Sequence, residues 1–107
     1  VYDLDGKFKR VFGAEHLTSP SGFIRYGDLM AVVELSASIK LLDADDRLIS
    51  TLGGNDEAVE IEGWPDVSSE LIEPGKFNSP HGVAADSEGN LYVVEFITGG
   101  RITRLVK

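Results

Sequence analysis

The chain has no cysteine among its 107 residues, which excludes disulfides, thiol nucleophiles and thiolate metal sites. It has no apolar run near the roughly 18 residues of a membrane-spanning helix, so no membrane partner is expected. Basic residues are scarce: ten Lys and Arg stand against eighteen Asp and Glu, for a net charge of −8. The deficit is concentrated. Residues 54–76, GNDEAVEIEGWPDVSSELIEPGK, carry seven acids (Asp56, Glu57, Glu60, Glu62, Asp66, Glu70 and Glu73) against Lys76 alone. Phosphate backbones are bound by clustered Lys and Arg, so nucleic acid is not an expected partner. What remains is ordinary for a globular chain: 42% hydrophobic and 26% charged residues, well outside the disordered regime.

No sustained helical period is present either. Short apolar runs alternate with polar turns rich in Asp and Gly, the pattern of β-hairpins. In SPHGVAADSEGNLYVVE, residues 79–95, one apolar run enters, Asp86-Ser87-Glu88-Gly89-Asn90 turns, and Leu91-Tyr92-Val93-Val94 returns. The pattern repeats. VYDLDGKFKRVFG (1–13) lies over LLDADDRLISTLG (41–53) at an offset of 40, matching Asp3 to Asp43, Lys7 to Arg47 and Gly13 to Gly53. LTSPSGF (17–23) lies over FNSPHGV (77–83) at an offset of 60, and Val32-Val33-Glu34 matches Val93-Val94-Glu95 one residue later. The acidic segment accounts for the jump. Without it the period is about 40 residues, that of stacked-repeat and propeller architectures.

Each unit reads as four short strands, a to d. In the complete copy these are 22–26, 30–34, 39–43 and 47–52, and four antiparallel strands per unit make a propeller blade. The organisation expected is a partial blade with strands c and d at 1–13, a full blade at 17–53, an acidic inter-blade insertion at 54–76, and a partial blade with strands a to c at 77–107. Pro65-Asp66 could start one helical turn within the insertion, which otherwise reads as a solvated loop whose removal (Asn55 to Glu73) spares the fold.

The series Pro80-His81-Gly82, an apolar strand, Asp86 with Gly89-Asn90, Leu91 to Glu95 and then Gly100-Arg101-Ile102 closely resembles the NHL repeat of six-bladed β-propellers. Over 17–53 the likeness is eroded: Ser21 replaces the His and Ser38 stands where the Arg would be. The resemblance implies an all-β fold of antiparallel four-stranded blades, with the ring incomplete in one chain. It also implies two functional readings. In the first, the segment is a binding scaffold whose channel rim and acidic insertion meet a protein or small-molecule ligand. In the alternative it belongs to a metal-dependent lyase or hydrolase with a His-lined channel site.

The candidate residues follow from both readings. His81 opens the innermost strand and is the candidate ligand for a divalent metal, zinc or calcium; neutral imidazole suits zinc, and three such groups leave an open position for substrate. Glu95 and Arg101, at the end of strand b and the start of strand c, are the catalytic candidates. With His81 and Trp64 they are also the binding candidates. The blander expectation is that Glu34 and Glu95 accept backbone N–H groups or pair with Arg101, and that Trp64 pins the insertion. Asp3-Leu4-Asp5-Gly6 and Asp43-Ala44-Asp45-Asp46 are not calcium loops: counted from Asp3, position six is Phe8 and position twelve Ala14, where Gly and Glu are required. Two blades close no ring. The spare strand 7–12 suits the open edge of the last blade, so the expected partners are further copies, three of them forming a cyclic trimer, or the remaining blades of a longer chain.

Overall fold

The computed structural model describes all 107 residues, as seven strands with two single turns of 3-10 helix. Strands β1 (Pro20–Tyr26), β2 (Leu29–Glu34), β3 (Ser38–Leu42) and β4 (Leu48–Leu52) form one antiparallel meander, sheet 1. Strands β5 (Pro80–Ala85), β6 (Leu91–Glu95) and β7 (Arg101–Leu105) form a second, sheet 2. The limits expected for the four strands of the full blade hold to within two residues, whereas the strand expected at 7–12 is absent apart from one bridge. No helix is long and apolar enough to cross a membrane.

The two sheets share one register. Gly22 pairs Val33 and Val33 pairs Ile39; in sheet 2 Gly82 pairs Val94 and Val94 pairs Ile102. Side chains alternate faces along each strand, so each sheet has one face toward the other sheet and one away from it. Ala31, Ile39 and Leu41 of sheet 1 are buried with Val93 of sheet 2, and Ile24, Leu29, Val83 and Leu105 pack around them. The inner strands β1 and β5 lie side by side. Gly22 permits that approach, because a Cβ there would stand 3.3 Å from the carbonyl oxygen of His81. Tyr26 Oη donates to the carbonyl of Gly89 at 2.6 Å, joining the β1–β2 turn of one sheet to the β5–β6 turn of the other.

Three hairpin turns are built alike. Asp3, Asp43 and Asp86 each accept, through Oδ1, the backbone N–H groups two and four residues on. The residue three on has positive φ in every case: Gly6, Asp46 and Gly89 at 80°, 63° and 87°. A short carboxylate that folds back on its own backbone fixes such a turn locally. The N-terminal hairpin of residues 1–13 has this turn but only one ladder bridge, Tyr2 to Phe8. It is fastened to sheet 1 by Arg10, whose guanidinium donates to Asp46 Oδ2 at 2.5 and 2.8 Å.

The insertion differs from the solvated loop expected of it. Its ends are pinched together, Phe77 N–H donating to the Gly53 carbonyl at 2.9 Å. Ala58 is wholly buried in the core cluster, Val67 is buried, and Trp64 packs against the cluster's edge. Its turns of 3-10 helix are Ala58–Glu60 and Ser69–Leu71. Acidity shows only which residues face water; the few apolar ones decide that the segment docks.

Candidate functional site

Both β2 and β6 end in a glutamate, and both glutamates turn back onto the segment entering the inner strand of their own blade. Glu95 Oε1 accepts the N–H groups of Asn78 (2.7 Å) and Ser79 (3.2 Å). Its Oε2 accepts Arg101 Nε, from the residue directly opposite it in the ladder. Arg101 then spends its remaining nitrogens on carbonyls of the insertion, donating to Glu73 at 3.2 Å and to Lys76 at 2.6 Å. The Glu95 side chain is fully buried and Arg101 mostly so. A carboxylate so enclosed is tolerated because every lone pair in use meets a donor.

In sheet 1, Glu34 Oε2 accepts Thr18 N–H (2.8 Å), Ser19 N–H (3.1 Å), Thr18 Oγ1 (2.8 Å) and Ser36 Oγ (3.3 Å). The residue opposite Glu34 is Ser38 rather than an arginine. Glu34 Oε1 is accordingly buried without a partner. One motif thus serves both blades, with its cation present in one and missing in the other.

Ser21 and His81 are also counterparts. Each ladder skips one residue between its Pro and Gly, at Pro20/Gly22 and Pro80/Gly82, so Ser21 and His81 occupy β-bulges, which re-aim a side chain out of the ladder. Ser21 Oγ bridges the blades, within 3.3 Å of the Val33 carbonyl and 3.2 Å of the Pro80 carbonyl. His81 is exposed. Its ring lies 5.7 Å from that of Phe96, which is 63% exposed.

Trp64 donates Nε1–H to the Asn78 carbonyl at 2.9 Å, and the Trp64–Pro65 peptide is cis. Asn78 returns a bond to the Pro65 carbonyl at 2.7 Å. Asp66 Oδ1 accepts the Thr98 N–H at 2.7 Å, fastening the insertion to the β6–β7 loop; contact with Thr98 holds the Asp66 carboxyl below its ordinary pKa. Asn78 was not singled out from the sequence, and Asp66 was read only as one of the seven acids and as the start of a helical turn. The only signal for Asn78 was its place beside the repeated Ser-Pro.

The structure therefore brings Glu95, Arg101, Asn78 and Trp64 into one connected bond network, while His81 stands apart from it beside Phe96. A metal at His81 does not fit the donors of a single chain, because no three His, Asp or Glu side chains converge anywhere in it. His81 and Phe96 together present an imidazole and an aromatic ring to solvent.

Antiparallel meanders stacked face to face in one shared register, with innermost strands adjacent, match the blades of a β-propeller. More specifically, residues 77–99, which span β5, β6 and the loop after them, match the family model of the NHL repeat. No curated protein matches the chain significantly.

Proposed function

We propose that this propeller segment is a binding scaffold that receives a basic protein segment across the rim formed by His81, Phe96 and the acidic insertion. The observation that carries the reading is the division of labour among the side chains. Glu95 and Arg101 are consumed by the bonds that hold the blade and insertion together, whereas His81 and Phe96 stand exposed. Six of the insertion's acids, among them Glu57, Glu60 and Glu62, are exposed and lack a cationic partner within it. Exposed carboxylates attract cationic partners at long range, and an aromatic face adds contact with Arg or Lys.

The single tryptophan, half-buried in the insertion, supplies the readout. Titration with an oligo-arginine peptide is expected to give a saturable change in Trp64 fluorescence. Added salt should weaken it, and so should Phe96→Ala. A signal that never saturates, or that Phe96→Ala leaves unchanged, overturns the reading.

The metal-dependent alternative rests on one observation, that the His81 imidazole stands exposed on its bulge. It requires imidazoles from other copies at one channel mouth. Zinc titration followed by equilibrium dialysis tests it, with stoichiometric binding that is lost in His81→Ala as the expected result.

A further inference from the structure

Between the insertion and the β6–β7 loop lies an open hollow of about 220 Å3, lined by Pro65, Asp66, Phe96, Ile97 and Thr98. Its two walls are about thirty residues apart in sequence, and the bond from Thr98 N–H to Asp66 Oδ1, at 2.7 Å, ties them together. Neither chain end lines the hollow, and neither does the outer face of sheet 2. Pockets for whole small molecules have volumes of about 300–1,000 Å3. This one has room for a single side chain.

Two of the lining groups decide which side chain fits. Asp66 is exposed and forms no ion pair within the chain. Its Oδ1 is committed to Thr98, which leaves Oδ2 to accept from outside, and contact with Thr98 favours the ionised form. Phe96 supplies an aromatic ring that is 63% exposed. A guanidinium is planar, stacks on aromatic rings and donates to carboxylates through a rigid fork; an ammonium is compact and strongly hydrated. Ile97 and Thr98 also wall a second hollow of about 490 Å3, against Ser69, Ile72 and Pro74 of the insertion. Two adjoining hollows along one seam suit successive side chains of a peptide better than a free guanidinium compound.

We propose that the hollow between Pro65-Asp66 and Phe96-Thr98 is an arginine pocket, which takes one arginine side chain of a basic peptide with its guanidinium on Asp66 Oδ2 and against the Phe96 ring. This assignment rests on the rim receiving a basic segment, and it names the residue preferred there and the carboxylate that selects it. The other acids of the insertion attract cations at long range without fixing their position. Asp66 supplies the fixed contact.

The test uses hexa-arginine and hexa-lysine, peptides of equal charge, titrated into the chain while nuclear magnetic resonance follows the Thr98 amide. Asp66→Asn removes the charge but keeps an oxygen that accepts the Thr98 N–H, and far-ultraviolet circular dichroism checks its fold. Asp28→Asn, exposed in the β1–β2 turn, removes the same charge away from the hollow. Hexa-arginine should shift the Thr98 amide saturably, bind about fivefold more weakly to Asp66→Asn, and bind Asp28→Asn as it binds wild type. Hexa-lysine should bind wild type more weakly than hexa-arginine does. If Asp66→Asn does not fold, that preference of the wild type decides alone. Equal affinity for the two peptides overturns the pocket and leaves the rim reading standing. So does hexa-arginine binding that Asp66→Asn leaves unchanged, that Asp28→Asn weakens equally, or that leaves the Thr98 amide unmoved. A wild type that binds neither peptide saturably overturns both.

Discussion

At the scale of single residues, the chain relies on carboxylates to organise backbone. Glu95 collects two N–H groups and a guanidinium, and Arg101 continues that network into the insertion. Arg101→Ala leaves Glu95 buried and unpaired, an effect that typically costs about 3–5 kcal/mol. Because Arg101 is partly exposed, the expected loss in urea unfolding lies at the lower end, about 3 kcal/mol. A loss within error of zero would mean that Arg101 is ornamental. The turn aspartates act through pH. Bonds from the Asn90 side chain and then its backbone hold the Asp86 carboxyl at about 2, below the ordinary 3.8. Asp3 and Asp43 are lowered in the same direction, chiefly by the backbone N–H groups of Lys7 and Arg47. A depressed folded-state pKa contributes stability above the unfolded value and loses it on acidification through the folded one. The contribution of Asp86 is thus complete above about pH 4 and lost towards pH 2. Asp86→Asn cannot titrate, so its urea midpoint should fall less steeply than that of wild type across this window. Equal slopes would remove Asp86 from the account.

At the scale of elements, the insertion is the piece whose role changes between sequence and structure. Composition makes it a solvated loop, yet Ala58 and Val67 are buried, and Trp64, Asp66, Glu73 and Lys76 bond to the second blade or its entry. Deleting Asn55 to Glu73 is therefore expected to destabilise the fold, contrary to the solvated-loop expectation. Trp64→Ala is the milder version. Complete burial of a Trp makes its truncation cost about 3–5 kcal/mol; for this half-buried ring, about 2 kcal/mol is expected in chemical denaturation. If the deletion variant melted at the wild-type temperature, the insertion would be a passenger after all.

At the scale of the whole molecule, the core lies between two sheets, and only 20 of 107 residues are buried, so there is little reserve. Val93 sits at its centre with no exposed surface. Val93→Asp places a carboxylate between the sheets with no partner, which such interiors do not tolerate. The variant should lack a cooperative thermal transition by circular dichroism; a wild-type melt would refute the blade-on-blade arrangement. Shape agrees with a stack that is not closed on itself: the chain spans 46 × 31 × 23 Å, longer than a compact globule needs.

The seven strands and their order were legible in the sequence, because alternation and turn chemistry act over a few residues, whereas the strand expected at 7–12 forms only the bridge of Phe8 to Tyr2. Asp3, Asp43 and Asp86 close their turns on neighbours no more than four positions away, and the paired Ser-Pro-x-Gly segments mark both inner strands. The likeness of Glu34 to Glu95 and the Ser38-for-Arg101 exchange were readable as well, since aligned repeats place counterparts without coordinates. What each group touches was not readable. Glu95 reaches Asn78 across 17 positions, Asp66 reaches Thr98 across 32, and Ser21 reaches Pro80 across 59. Such contacts exist only after two sheets have stacked and chosen their facing sides. Composition recorded the charge of the insertion; tertiary packing decided that Ala58, Trp64 and Asp66, rather than its six other acids, fix where it lies.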